Sequence, residues 1–325
     1  MTKECLKHLL LFLSASAIAG TAVESTVDTD NTPEYYDEAD YESLGCIGSG
    51  CFGNVFKIQE RETGKIYALK TQNGLFSFIA ESEIDALEQL DHGNIVKMIT
   101  SSDITSRHEY EPVQIVLEHM PCDLHYAIQN HPETKEDTRK ILCQILKGVA
   151  HIHSKSLAHG DINLKNILVD PKKQTVKICD FGLCREGGKE DIFYGKSIDG
   201  YYSDILSVAG LMARLYLGKS SSDVFYRSMF KRDGVVSFVE SQGNGVLDSS
   251  FKTLYKEMEG VVSKNGLDLF LQLISAKKTG ACTAAEALEH PFFTEGREED
   301  PLPKTQSDVQ ELSAREPKRR RLCSR

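Results

Sequence analysis

The sequence predicts an α+β protein in two segments, a strand-rich N-terminal segment followed by a helix-rich C-terminal one. Short runs of β-favouring residues, separated by glycine turns, occupy residues 43–71. After Pro121, apolar residues recur mostly at helical spacing. Strands and helices do not alternate, so the pattern disfavours a parallel sheet of βαβ units. With 325 residues, 40% of them hydrophobic, the chain suits one globular unit of two lobes with polar ends.

Five short strands and one helix are expected in the N-terminal segment. The helix covers residues 79–91, where Ile84, Leu87 and Leu90 share one face. Turn-forming residues mark the ends of the first strand-like runs. The expected strands lie at residues 43–48, 54–59, 65–71, 96–101 and 113–117.

Long helices are expected to build the C-terminal segment. Residues 137–154 place Ile141, Ile145 and Val149 at helical spacing. Residues 204–217 predict a second long and apolar helix. We see no internal repeat in either segment.

The ends of the chain differ from its middle in composition. Residues 1–22 start with Lys3 and Lys7 and continue as a short apolar stretch, which resembles a secretory signal and is too short to span a membrane. Residues 23–43 carry acidic side chains without Lys or Arg and predict a disordered linker. Residues 294–325 predict a disordered tail of mixed charge.

The sequence leaves the cellular compartment open between two alternatives. A basic cluster in the tail resembles a nuclear signal and predicts a cytoplasmic or nuclear protein; it consists of Lys318, Arg319, Arg320 and Arg321. The signal-like segment would direct the chain to the secretory pathway instead. The two signals do not serve one protein together, so at least one of these interpretations is wrong.

Charge and cysteine usage exclude some function classes. The net charge of −10 argues against nucleic-acid binding by bulk electrostatics. Nine cysteines without a CxxC pair give no zinc pattern, and an odd number fits poorly with a disulfide framework. They are typical of free thiols in a reducing compartment.

Residues suited to phosphate chemistry recur in a fixed order. Gly48, Gly50 and Gly53 would let the backbone offer its N–H groups to phosphate oxygens. A strand, not a helix, follows Val55, and no acidic residue lies about 20 residues further on, which disfavours a dinucleotide-binding loop. The full series is Gly48-Ser49-Gly50-Cys51-Phe52-Gly53-Asn54-Val55, then Lys70, Glu83, His159-Gly160-Asp161 with Asn166, and Asp180-Phe181-Gly182.

This series resembles the signature set of eukaryotic-type protein kinases. The resemblance covers residues 44–293 and implies the two-lobed protein-kinase fold, with a β-rich N-lobe at 44–118 and a helical C-lobe at 122–293. It implies ATP and Mg²⁺ as cofactors and a protein, not identified by the sequence, as the substrate. We expect no direct nucleic-acid partner and no membrane span.

The resemblance assigns catalytic roles to four residues. Asp161 would accept or orient the proton of the substrate hydroxyl, and Lys70 would hold the α- and β-phosphates. Lys70 lies on an apolar strand, where an ammonium needs a partner, and Glu83 on the next helix is expected to supply it. Glu83 is preferred to two neighbouring glutamates because the residues after it resemble the family's sequence. Lys165 is the basic residue of the expected catalytic loop, which covers residues 159–166.

Metal and nucleotide contacts follow from the same resemblance. Asn166 and Asp180 are expected to hold Mg²⁺. Leu117 would be the gatekeeper, and main-chain groups at Glu118 and Met120 would read the adenine. The expected nucleotide-binding residues are Ile47, Gly48, Ser49, Gly50, Cys51, Phe52, Gly53, Asn54, Val55, Ala68, Lys70, Glu118, Met120, Asp123 and Leu168.

The segment after Asp180 departs from the family pattern. Gly160 stands where most kinases have an arginine that pairs with a phosphorylated segment, which predicts activity independent of such phosphorylation. Asp204 lies in a run that resembles the helix anchoring the catalytic loop, only 24 residues after Asp180. The Ala-Pro-Glu motif, whose glutamate normally pairs with a buried arginine in the family, is absent. Ala281 stands at the position of that arginine, so both partners are missing. Losing both avoids an unpaired buried charge, which would cost about 3–5 kcal/mol.

The whole sequence predicts a divergent protein kinase that transfers the γ-phosphate of ATP to serine or threonine hydroxyls of proteins. Residues 286–293 resemble the closing helix of serine/threonine kinases, whereas Lys165 has the offset of a basic residue in tyrosine kinases. Asn163 stands where serine/threonine kinases carry a lysine that contacts the γ-phosphate. This residue and the absent Ala-Pro-Glu motif leave a pseudokinase-type nucleotide-binding scaffold as an alternative. The short segment leaves a kinase for a small-molecule acceptor as another. A viral origin is one interpretation of the divergence.

Overall fold

The computed structural model of the chain describes residues 35–50, 52–108, 110–131, 134, 138–193, 196–218, 225, 249–277 and 280–295. One compact unit ends at Phe293, and of the second unit, residues 294–325, only the first two residues are described. The predictions for the signal-like segment, most of the acidic linker and the basic cluster therefore concern residues outside the described ranges.

An antiparallel sheet of five strands forms the N-terminal segment, as the sequence predicts. Its strands are β1 (Tyr41–Ser49), β2 (Gly53–Glu60), β3 (Ile66–Gln72), β4 (Met98–Ser101) and β5 (Val113–Glu118). They lie in the order β1-β2-β3-β5-β4. Helix α1 (Ser77–Gln89) follows β3 after a 3₁₀ turn at Gly74–Phe76 and buries Ile84 and Leu87.

Strand β3 lies at the centre of the sheet and fixes the backbone of Lys70 from both sides. Lys70 pairs with Val55 on β2 and with Ile115 on β5. Side chains alternate along a strand, so Ala68, Lys70 and Gln72 project from one face of the sheet. Helix α1 packs on this face, where Ala68 shares the main core with Ile84 and Leu87.

The predicted end of the acidic linker at residue 43 is wrong, because strand β1 already begins at Tyr41. The N–H of Tyr36 donates to the carbonyl of Ser101 at 2.9 Å. The ring of Tyr36 stacks on that of Tyr41 with 5.6 Å between centroids, and both pack against a small apolar cluster on the outer face of the sheet. Aromatic side chains thus order the last part of a segment whose charge predicts disorder.

Helices, short strand pairs and one three-stranded sheet make up the described part of the C-terminal segment. The helices are α2 (Leu124–Asn130), α3 (Thr138–Ser154), α4 (Gly200–Leu217), α5 (Ser249–Glu259), α6 (Lys264–Ile274) and α7 (Ala284–Leu288). The strands are β6 (Cys122–Asp123), β7 (Leu157–Ala158), β8 (Ile167–Asp170), β9 (Thr175–Ile178), β10 (Arg185–Glu186), β11 (Glu190–Phe193), β12 (Lys196–Asp199), β13 (Ala276–Lys277) and β14 (Gly280–Ala281). The three-stranded sheet has the order β6-β8-β9. The apolar faces of α3 and α4 meet in the main core, where Ile145, Val149 and Leu206 are fully buried.

The α+β class is confirmed, and the helix bounds differ from the expected ones by a few residues. The helix expected at 79–91 spans Ser77–Gln89, and that expected at 137–154 spans Thr138–Ser154. Helix α4 begins at Gly200, four residues before the expected start, because the Asp199 carboxylate accepts the N–H of Tyr202 at 2.9 Å and caps it. Within the described ranges, no helix is long and apolar enough to cross a membrane.

Candidate active site

A cleft of about 1020 Å³ lies between the N-terminal sheet and the helical segment, large enough for a nucleotide. Nearly all the residues expected at the site line it: Ile47, Gly48, Ser49, Gly50, Phe52, Gly53, Val55, Ala68, Lys70, Glu83, Glu118, Met120, Asp123, Asp161, Lys165, Asn166, Leu168 and Asp180. Asn54 is not among them, since it is exposed on β2. Cys51 lies outside the described residues.

Lys70 joins the sheet, helix α1 and the segment after β9 in one ionic cluster. Its Nζ lies 2.5 Å from Glu83 Oε2 and 2.7 Å from Asp180 Oδ1. Glu83 is fully buried, whereas the side chain of Asp180 is 49% exposed. The structure therefore brings the expected lysine–glutamate pair together and aims the lysine at the open side of the cleft.

The charge of this cluster is fixed by its geometry. Burial alone would lower the pKa of Lys70, but the carboxylates of Asp180 and Glu83 raise it well above its usual value. Lys70 is therefore an ammonium at any physiological pH. Burial raises the pKa of Glu83, and the ammonium of Lys70 opposes that rise. With both carboxylates ionised, two negative charges share one cation, so the cluster can take up one more positive charge near Asp180.

The catalytic-loop residues are held by a local network. Asn166 donates its amide nitrogen to Asp161 Oδ2 at 2.8 Å and to the Asp161 carbonyl at 2.9 Å. Asn163 Oδ1 accepts the N–H of Lys165 at 2.9 Å, and Asn163 donates to the Asp161 carbonyl at 3.1 Å. Lys165 is exposed at the cleft. The Asp161 carboxylate thus has a fixed orientation before any substrate arrives.

Asp204 anchors the catalytic loop from helix α4, as the sequence predicts. Its buried carboxylate accepts the N–H of His159 at 2.8 Å and that of Gly160 at 2.9 Å. His153 Nε2 lies 3.1 Å from the same carboxylate. Burial alone would raise the pKa of Asp204, but the His153 side chain and the backbone donors hold it below its usual value. The catalytic loop is therefore anchored by the ionised carboxylate of Asp204 in the core.

The Asp180-Phe181-Gly182 segment is oriented by a buried aromatic ring. Phe181 is fully buried and contacts the ring of His159, with 4.8 Å between centroids. Asp180 has a φ of 66°, a left-handed conformation that costs about 1 kcal/mol for a residue other than glycine. This conformation turns the carboxylate of Asp180 towards Lys70 while Phe181 stays in the core.

The chain between β5 and α2 borders the cleft with main-chain groups. The Glu118 carboxylate binds Lys177 Nζ at 2.7 Å and accepts the N–H of Lys97 at 2.8 Å. A nucleotide contact at Glu118 would therefore involve its main chain. Asp123 Oδ1 accepts the N–H of Tyr126 at 2.6 Å, which caps α2 and fixes this carboxylate at the cleft edge.

Asp180 and Asn166 fit the Mg²⁺ ion that the family resemblance implies. Both line the cleft, and carboxylate and amide oxygens are ligands that this hard cation prefers. Because Asn166 gives its amide nitrogen to Asp161, its amide oxygen points away from that residue. Among the described residues, no group of three or more His, Cys, Asp or Glu is arranged to hold a metal. Substrate phosphates and water would complete such a coordination shell.

Two residues near the site were not predicted from the sequence. Arg185 on β10 places its Nη1 beside Gly160, where a side chain at position 160 would begin. Gln72 on β3 donates to Glu83 Oε2 at 2.8 Å. The only sequence signal for Gln72 was its spacing of two residues from Lys70 on one face of a strand. Arg185 carried none, because its approach to Gly160 depends on the pairing of β10 with β7.

The cleft combines a lysine–glutamate pair, three glycines of the first strand pair and an aspartate–asparagine loop, and this is the arrangement of the two-lobed protein-kinase class. The sequence profile of the family described as "Protein kinase domain" matches residues 41–202. The chain belongs to the eukaryotic-type protein kinase superfamily, and the expected two-lobed kinase fold is confirmed.

Plant kinases are among the relatives of this chain. It is 28% identical over 290 residues to cyclin-dependent kinase F-3 of Oryza sativa subsp. japonica, a match that covers 79% of this chain and 65% of the relative. Mitogen-activated protein kinase 16 of the same plant is 37% identical over 158 residues, which covers 47% of this chain and 31% of the relative. Mitogen-activated protein kinase 10 is 27% identical over 310 residues, 83% of this chain and 51% of the relative. The chain thus spans between about a third and two thirds of these relatives.

Proposed function

We propose that the chain is an ATP- and Mg²⁺-dependent protein kinase that transfers the γ-phosphate to serine or threonine hydroxyls of proteins. One observation carries this proposal: Lys70 contacts both Glu83 and Asp180 in the cleft where Asn166 holds Asp161. These are the parts that the phosphoryl-transfer template requires. The relatives named as cyclin-dependent and mitogen-activated protein kinases support a serine/threonine kinase.

Each side chain would have a separate task in the transfer. Lys70 keeps its charge and would hold the α- and β-phosphates, while Glu83 keeps the ammonium aimed into the cleft. Asp161 would orient the acceptor hydroxyl and take its proton as the oxygen attacks the γ-phosphorus and ADP leaves. A proton-accepting group in such a position contributes about 10² to 10⁴ in rate.

Asp180 and Asn166 would hold Mg²⁺, which neutralises charge on the phosphates when bound. The charge of the Lys70 cluster supports this role, since it has two carboxylates for one cation. The glycine loop would cover the phosphates with its backbone N–H groups.

The kinase domain would begin with strand β1 at Tyr41, three residues before the expected start, and end at residue 293. Its lobes would lie at 41–118 and 122–293, followed by a tail at 294–325. We place the protein in the cytoplasm or nucleus rather than in the secretory pathway. Cys143, Cys179 and Cys184 are free thiols, which supports a reducing compartment. Mass spectrometry of the natural N-terminus tests this location, because a mature chain beginning near Ala19 would establish secretion.

Transfer from labelled ATP tests the proposed activity. The wild-type protein with Mg²⁺ should label a generic protein acceptor or itself, and acid hydrolysis should release phosphoserine or phosphothreonine. Asp161→Asn should reduce labelling by about 10²-fold or more. Labelling of tyrosine alone would contradict the proposed acceptor class.

The same assay separates the two alternative functions. Labelling that appears only on metabolites in a panel of protein and small-molecule acceptors would favour a small-molecule kinase. Nucleotide binding without labelling of any acceptor would contradict the proposed enzyme activity and favour a nucleotide-binding scaffold.

A further inference from the structure

Gln72 is a polar residue with no exposed surface, at the C-terminal end of strand β3. It follows Lys70 by two residues, so both side chains leave the same face of the central strand. A fully buried glutamine costs free energy unless its amide is used in hydrogen bonds. The hydrogen bonds of Gln72 therefore indicate what this buried amide contributes to the structure.

Its amide nitrogen donates to Glu83 Oε2 at 2.8 Å. Lys70 Nζ lies 2.5 Å from this same oxygen. Gln72 and Lys70 thus approach one carboxylate from neighbouring positions of β3 and hold it between them. The Gln72 amide oxygen is buried without a hydrogen-bond partner among the described residues, a cost that an apolar residue would avoid.

Two further contacts tie helix α1 to the loop between β4 and β5. Arg107 on that loop reaches Glu81 of α1 at 3.4 Å. Gly74, just before α1, lies so close to the backbone of Tyr110 and Glu111 that a Cβ there would come within 2.5 Å of the Glu111 carbonyl. The turn before α1 therefore packs closely against the loop between β4 and β5.

We propose that Gln72 is a positioning residue that fixes Glu83, and with it helix α1, in the arrangement that pairs with Lys70. The inference rests on the proposed kinase function for its catalytic consequence. Gln72 acts through Glu83 and touches no substrate. Two donors on one strand define the direction of the carboxylate more narrowly than the single flexible ammonium of Lys70 does.

Gln72→Met tests the proposal, because methionine has a similar length and offers no N–H donor. Gln144→Met is the matched control: Gln144 is a glutamine in α3 that accepts the N–H of Val176 at 2.9 Å and does not contact Glu83. Hydrogen exchange of the protein without nucleotide should become faster in α1 of Gln72→Met and stay unchanged in its helix α4. In Gln144→Met, exchange in α1 should match the wild type.

Transfer rates supply a second readout. Gln72→Met should lower the rate per folded molecule about tenfold, the effect of losing one hydrogen bond to a charged group. In a Glu83→Gln background, Gln72→Met should lower it less than about twofold, because the two residues act through one contact. A merely structural role would give the same factor in both backgrounds.

Unchanged exchange in α1, equal exchange in α1 for both glutamine variants, or additive losses of rate would each overturn the proposal. The exchange experiment needs neither ATP nor turnover. A wild-type protein that transfers no phosphate would therefore defeat the proposed function, while the exchange of α1 would still decide the role of Gln72.

Discussion

The guanidinium of Arg185 lies where a side chain at position 160 would begin. Gly160 has a φ of +80°, and a Cβ there would meet Nη1 of Arg185 and lie 2.8 Å from the carbonyl of Leu183. Arg185 pairs with Ala158, so β10 holds the arginine beside the start of the catalytic loop. The loop that lacks an arginine at 160 thus has one beside it, supplied by the segment after Asp180.

Gly160→Ala should destabilise the protein by about 2 kcal/mol or more. The left-handed backbone costs about 1 kcal/mol for alanine, and the crowding against Arg185 and Leu183 adds about 1–3 kcal/mol. Urea unfolding measures this loss. Gly64→Ala is the matched control, since Gly64 also has a positive φ of +70° but its Cβ would lie 3.5 Å from Gln59 Nε2. Equal losses at both glycines would show that Arg185 moves aside without cost.

Transfer activity should not depend on phosphorylation of the segment after Asp180. Without an arginine at position 160, the catalytic loop itself offers no side chain to pair with a phosphate group, and Nη1 of the neighbouring Arg185 donates to the Leu183 carbonyl at 3.2 Å. Treatment with a phosphatase, or the double change Tyr194→Phe and Ser197→Ala, should leave the initial rate within about twofold. A rate that collapses after either treatment would show that a phosphate group orders the segment.

Asp204→Asn should cost about 3 kcal/mol of unfolding free energy near pH 7, because it removes a buried charge with several donors. The folded-state pKa of Asp204 lies below its usual value. Its contribution is therefore complete above the unfolded pKa of about 3.9 and disappears as the pH falls through the folded pKa. Denaturation at a series of pH values should show the difference from wild type shrinking below about pH 4.

Asp199→Asn is the control for that experiment. Asp199 caps the same helix α4, and asparagine caps a helix equally well, so the expected loss is only a few tenths of a kcal/mol. A pH-independent loss in Asp204→Asn would contradict the assignment of its charge.

Asp180→Asn should raise the Mg²⁺ concentration that gives half the maximal rate by about tenfold or more, because one of the two proposed protein ligands loses its charge. Titration of the initial rate with Mg²⁺ measures this. Asp170→Asn provides the control, since Asp170 accepts N–H groups in the turn after β8 and does not line the cleft. Equal Mg²⁺ requirements in both variants would remove Asp180 from the metal site.

The side chains that the structure brings together in the cleft could be named from the sequence. Lys70 and Asp161 lie in short motifs that resemble those of the family, and the residues after Glu83 resemble the family's sequence, so the resemblance names all three. The anchoring role of Asp204 could be named for the same reason and is confirmed. Strand and helix order followed from periodicity, because the core requires apolar residues at those positions.

Tertiary contacts of single polar side chains could not be predicted. Gln72 looked like any other strand residue, and its partner Glu83 is brought to it only by the packing of α1 on the sheet. Arg185 finds Gly160 through the pairing of β10 with β7. The early start of β1 was missed because acidic composition outweighed Tyr36 and Tyr41, whose burial depends on the finished sheet.

The most direct test of the account measures nucleotide affinity and phosphate transfer in the same samples of wild type, Asp161→Asn and Lys70→Met. Asp161 makes no contact with Lys70 among the hydrogen bonds described, so Asp161→Asn should bind ATP with near wild-type affinity and lose transfer by about 10²-fold or more. Lys70→Met should also lose transfer, because the contacts to Glu83 and Asp180 disappear. Transfer that persists unchanged in Asp161→Asn would contradict the assignment of this cleft as the catalytic site.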